Sequence, residues 1–92
     1  MILEKELYAT KQTMTEGHEP LVLKYFIISQ KVECDHGDMM LYGVEVEKDS
    51  SESCCVSNVT NDFNYICFVI RSLSNANVTP IAVAEILDDF TQ

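Results

Sequence analysis

The sequence predicts an α+β fold in one domain spanning residues 1–92: a four-stranded antiparallel β-meander followed by two C-terminal α-helices packed on one face, ββββαα. Three observations predict it. Apolar residues recur with a period of two as far as Val59 and with a period of 3.6 from Phe63 onward. Three clusters of turn-forming residues, Thr15 to Pro20, Cys34 to Asp38 and Lys48 to Glu52, divide the first part into four runs. Thr79-Pro80 is a helix start, with Thr as N-cap and Pro at the first helical position.

Ile2 to about Met14 alternates loosely, Leu3, Leu7 and Ala9 against Glu4, Glu6, Thr10 and Gln12, with Tyr8 on the polar side. That pattern favours a strand, although Glu4-Lys5-Glu6-Leu7 is also compatible with the opening of a helix. Leu21 to Val32 carries Leu21, Leu23, Tyr25 and Ile27 on one face and Val22, Phe26, Ile28 and Val32 on the other. A strand apolar on both faces belongs at the centre of a sheet. In the turn that follows, Gly37 supplies left-handed backbone. Met39 to Lys48 then alternates Met40, Tyr42, Val44 and Val46 with Leu41, Gly43, Glu45 and Glu47, a half-buried strand. Ser53 to Val59 is a short last strand with Cys54 and Val56 on one side.

Phe63, Ile66, Cys67, Ile70 and Leu73 make one apolar stripe on a helix, so all five, Cys67 included, are expected in the core. Thr60 or Asn61 is its expected N-cap, with Asp62 placed favourably near the positive helix end. Ser74 to Asn77 ends it, because asparagine tolerates left-handed backbone. The second helix places Val83, Ile86, Leu87 and Phe90 on one stripe, and Val78 is set to staple against Val83.

Fifteen Asp and Glu against six Lys and Arg give a net charge of −9, which argues against a grip on phosphate backbones, so nucleic acid is not an expected partner. With 47% hydrophobic and 23% charged residues the composition is that of a globular chain. Charges at Glu4, Lys5 and Glu6 interrupt any apolar export signal, and no segment has the ~18–20 apolar residues of a membrane span. The expected setting is the cytoplasm, with the four cysteines reduced and no contact with membrane. A domain this small gains from burying a sheet face, which makes a homodimer a reasonable expectation.

Leu41-Tyr42-Gly43-Val44-Glu45-Val46-Glu47, then Val59-Thr60-Asn61-Asp62 opening one helix and Asn77-Val78-Thr79-Pro80 opening another that closes on Ile86-Leu87-Asp88-Asp89-Phe90, resembles a family of small uncharacterised bacterial proteins found mainly in clostridia. The likeness covers roughly residues 21 to 91. It implies a bacterial, cytosolic protein of unknown function and carries over no catalytic residues; Cys54-Cys55 is outside its pattern.

Several groups of residues invite a chemical reading. Cys34 and His36, with Asp35 and Asp38, gather ligand types that suit zinc, but a second ligand pair is needed, and Cys54-Cys55 falls at the opposite end of a meander, roughly 25 Å away. The plain alternative is a solvated hairpin turn. His18 shares the end of the sheet with Cys54 and Cys55, yet Glu16, Glu19, Asp49 and Glu52 there would stabilise the thiol, not the nucleophilic thiolate. Glu45 and Glu47, with Glu33 nearby, form either an acid-base pair or a solvated face that deters aggregation. Asp88-Asp89 meets the negative end of a helix, which suggests either a cationic partner or fraying. Of the four tyrosines, Tyr8, Tyr25, Tyr42 and Tyr65, any on an uncovered sheet face would make an adhesive patch. The expected function is therefore non-enzymatic and cofactor-free, through contact with a basic protein partner or a second copy. Tyr25 or Tyr42 are the expected anchors on the open sheet face and Glu45 and Glu47 the polar determinants. The alternative is a metal- or small-ligand-binding domain that uses Cys34 and His36.

Overall fold

The structure is a computed structural model that describes residues 2–14, 17–49 and 52–91, the side chains of residues 2 and 88–91 excepted. Glu16, the carboxylates of Asp88 and Asp89 and the ring of Phe90 thus lie outside the described residues. The order is ββββαα: β1 (Ile2–Met14), β2 (Pro20–Cys34), β3 (Gly37–Lys48), β4 (Glu52–Thr60), α1 (Phe63–Asn75) and α2 (Pro80–Thr91). The strands form one antiparallel sheet in the order β1-β2-β3-β4. β2, apolar on both faces, is interior to the sheet as its two-sided pattern requires, and β3, read from its alternation as half-buried, is interior as well.

Residues opposite each other in an antiparallel pair share a face, so the register assigns every side chain. Leu23, Tyr25 and Ile27 of β2 stand with Val44 and Val46 of β3 and Cys54 and Val56 of β4, under the helices. α1 contributes Ile66, Val69, Ile70 and Leu73 to this core, and α2 contributes Val83 and Leu87. The α1 stripe differs from the expected one at its edge. Phe63 is half exposed and Cys67 only half buried, because Val69 takes the central place. α1 lies across all four strands, whereas α2 packs on β3 and β4.

Local chemistry sets the element ends. Asp62, not Thr60 or Asn61, is the N-cap of α1: its carboxylate accepts from the N–H groups of Asn64 (2.9 Å) and Tyr65 (3.4 Å), and the Thr60 hydroxyl accepts from Asp62 N–H. A carboxylate there meets both the free amides and the positive helix end. Asn77, at φ 51°, turns the chain out of α1, Val78 N–H bonds back to the Leu73 carbonyl, and Val78 and Val83 are both buried. The β2–β3 turn is tighter than its composition suggests: Cys34 pairs with Gly37, which leaves Asp35-His36 as the two-residue loop, and Gly37 has φ 114°.

Two irregularities shape the sheet. In β1, Leu7 pairs with Phe26 and Ala9 with Tyr25, so Tyr8 is an extra residue that reverses the phase of alternation along the strand. In β4, Ser57, Asn58 and Val59 lie between the pairs Val44–Val56 and Tyr42–Thr60, opposite Gly43 alone, with Asn58 at φ 58°. A side chain at Gly43 would fall on the Val56 carbonyl oxygen and 2.8 Å from Ser57 Cα. Glycine is what lets the bulge close onto β3.

Tyr25 corrects an expectation. It is not on the open face but wholly buried under the helices, with its hydroxyl donating to the Val78 carbonyl oxygen at 2.9 Å, and burial pushes its phenol up to about 12. The bond ties the middle of the sheet to the α1–α2 connection. Removing the hydroxyl in Tyr25→Phe leaves that carbonyl without its donor and should cost about 1–2 kcal/mol in urea unfolding. Because the folded-state pKa is the higher one, the native protein holds this phenol's contribution below pH 10 and loses it as pH rises toward about 12; the Tyr25→Phe variant should lack that alkaline loss. Gly43→Ala must displace β4 backbone and should lower the unfolding free energy by about 2–3 kcal/mol with the urea m-value unchanged.

Candidate functional site

Among the described residues, no layer covers the second face of the sheet. The register collects there Leu3, Lys5 and Leu7 of β1, Val22, Lys24, Phe26 and Ile28 of β2, and Leu41, Gly43, Glu45 and Glu47 of β3, with Cys55 beside Glu45 on β4. This is a mixed face, apolar toward its middle and charged around Phe26.

Lys5 organises it. Its ammonium forms an ion pair with Glu45, lies 3.6 Å from Glu47 Oε2, and stands 4.2 Å from the centre of the Phe26 ring. Since Lys5 is opposite Ile28 and Glu45 is opposite Phe26, its stem must cross the Ile28–Phe26 stretch diagonally. That accounts for a centre that is well covered on a face without helices: Ile28 is only 2% exposed. The hydrogen bond with Glu45 raises the Lys5 pKa above its ordinary value, desolvation works against it, and the charges of Glu45 and Glu47 add to the rise. Glu45 and Glu47 thus hold a cation between them and do not stand as a bare pair.

Toward the β1–β2 turn, Asp49 clips two strands together. Its carboxylate accepts from Val22 N–H at 2.9 Å and its own N–H donates to Val22 O at 3.0 Å. A shallow hollow of about 270 Å³ lined by Val22, Lys24, Glu47 and Asp49 lies beside this clip.

The other residues singled out in the sequence are dispersed. Tyr42 faces the helices, half buried, its ring 5.3 Å from that of Phe63 in an edge-on contact, so it shares no face with Glu45 and Glu47. Glu33 pairs with Asp38 at the far end of the sheet, on the opposite face from Glu45. Asp38 itself binds Lys31 at 3.0 Å. Cys34 and His36 are exposed at the β2–β3 turn, and among the described residues no three His, Cys, Asp or Glu come together as metal ligands. Cys54 and Cys55 fall on opposite faces: Cys54 is opposite Val46 and Cys55 opposite Glu45. Burial pushes the Cys55 thiol up, with the charges of Glu45 and Cys54 adding and that of Lys5 opposing. Among the described residues, the acid that adds to this rise is the cross-strand neighbour Glu45. Lys5 and Phe26 are site residues that no local motif singles out. The signal was present in the period-two phase of β1, but only the pairing of three strands brings Lys5 to Glu45.

Fold and face define a small α+β protein with a one-sided helical cover and a charge-stapled open sheet. The chain belongs to a family of unknown function, DUF6514, whose model matches residues 4–92. No curated protein and no solved structure matches it. Among the described residues no helix is long and apolar enough to cross a membrane.

Cys55 reports on this charge cluster. Glu45→Gln removes the carboxylate that disfavours the thiolate, so alkylation of Cys55 by iodoacetamide, followed by peptide mass spectrometry, should become severalfold faster; Lys5→Met should slow it.

Proposed function

We propose that the protein is a non-enzymatic contact module of the bacterial cytosol that binds another protein through its bare sheet face. The observation that carries this reading is the combination on that face of apolar residues, Leu41, Phe26 and Val22 among them, with the Lys5–Glu45–Glu47 cluster. A flat apolar patch with a charged frame is the composition of a protein-binding surface. The net charge of −9 favours a cationic partner and speeds its encounter. The anchors in this reading are Phe26 and Leu41, which replace Tyr25 and Tyr42, with Glu45 and Glu47 kept as the polar determinants. Burial and the charge of Glu45 hold Cys55 toward its protonated form, which favours the non-enzymatic reading.

A photoreactive residue introduced at Leu41 tests the reading. In cells it should give a discrete adduct whose yield falls in Glu47→Lys and with rising salt. The same residue at the exposed Ala84 of α2 should give none. Equal adducts from both positions, or an adduct from Leu41 indifferent to Glu47→Lys, would refute it.

A further inference from the structure

The two edges of the sheet are unlike. β4 is short, nine residues, and is broken by the Ser57–Val59 bulge, a form that blunts an edge against pairing. β1 is thirteen residues long and carries four exposed large apolar side chains, Leu3 (62%), Leu7 (52%), Tyr8 (42%) and Met14 (66%). Its charges do not repel a second β1, because the Tyr8 bulge sorts them. Before the bulge Glu4 and Glu6 point to the helix side; after it Ala9, Lys11 and Thr13 do. Leu3, Lys5 and Leu7, then Thr10, Gln12 and Met14, occupy the open side.

A two-fold axis normal to the sheet pairs β1 with its copy antiparallel, and every opposed pair must share a face. With uninterrupted alternation, acids could meet only residues of their own parity, and Lys5 could meet Lys11. The bulge instead lets Glu6 stand opposite Lys11 of the second copy, twice by symmetry. The same register sets Leu7 opposite Thr10, Lys5 opposite Gln12, and Leu3 opposite Met14, so the two most exposed apolar side chains of the strand cover each other. Shifting it to oppose Glu4 with Lys11 keeps one charge match but sets Leu3 against Gln12. Among the described residues neither Glu6 nor Lys11 has an ion-pair partner within the chain.

We propose that β1 pairs antiparallel with β1 of a second copy, Glu6 against Lys11, and joins two sheets into one of eight strands. The edge is a different surface from the bare face, and the proposal goes beyond the reading above without depending on it. The helices of both copies then lie on one side, and the two bare faces become one continuous surface on the other.

Sedimentation under reducing conditions tests this. The unmodified protein should be a dimer at micromolar concentration. Glu6→Lys and Lys11→Glu, each opposing like charges twice, should weaken the dimer by roughly tenfold or more, and the double exchange should restore it. Leu41→Asp, on β3, should leave self-association unchanged while abolishing adducts from a photoreactive residue placed at Val22 of the same face, which separates failure of the two proposals. Circular dichroism checks that each variant is folded, and deuterium exchange of β1 amides, protected in the dimer and exposed in Glu6→Lys, supplies a second readout. A monomer at about 100 μM, a dimer indifferent to both single exchanges, or one lost through Leu41→Asp would overturn the proposal.

Discussion

A helix rises about 1.5 Å per residue and a strand about 3.3 Å, so helices of thirteen and twelve residues reach roughly 20 Å, while a fifteen-residue central strand reaches roughly 50 Å. Two such helices cannot cover this sheet. They bury one part of one face, centred on Tyr25, Val44 and Val46, and leave the other face and the β2–β3 end without a second layer. The long dimension of 53 Å against 26 and 18 Å is the direct result. The bare face, the exposed methionines Met39 and Met40, and the apolar edge of β1 all follow from that shortfall.

The chain answers the shortfall with side chains in place of a layer. Lys5 reaches across β2 to Glu45 and Glu47, and its ammonium stands 4.2 Å from the centre of the Phe26 ring. An ammonium over an aromatic ring, flanked by carboxylates, is a local substitute for packing that keeps the face hydrated at its surface and dry beneath. Gly43 does the complementary work at β4, where absence of a side chain lets the bulged backbone close in. Tyr25 then anchors the covered part, since its hydroxyl bonds the sheet's centre to the helix connection.

The two bulges also divide the edges by role. The one in β4 ends regular pairing on that side; the one in β1 leaves a long strand whose charge pattern matches its own reverse. A continuous eight-stranded sheet would place two copies of the Lys5 cluster side by side on one surface, an arrangement suited to a partner that is itself symmetric.

The meander, the change of period after Val59, the start of α2 at Pro80 and the interior position of β2 were legible in the sequence because each rests on residues close together in the chain, whereas the cap of α1 fell one or two residues later than expected, at Asp62. The separation of Cys34 and His36 from Cys54 and Cys55 was legible too, since it needs only strand direction. Which face receives the helices was not. Tyr25 and Phe26 are adjacent, both aromatic and both on an apolar face of β2, and local pattern treats them alike; the docking of α1 and α2 buries the first against Val78 and leaves the second to Lys5. Tyr42 went the same way as Tyr25 through its alternation with Glu45. The sequence by itself determined the elements and their order, since these depend on short-range periodicity. Only the tertiary structure decided the site, because the Lys5–Glu45 contact and the phase of β1 around Tyr8 depend on register between strands, and register is settled by packing rather than by any local run of residues.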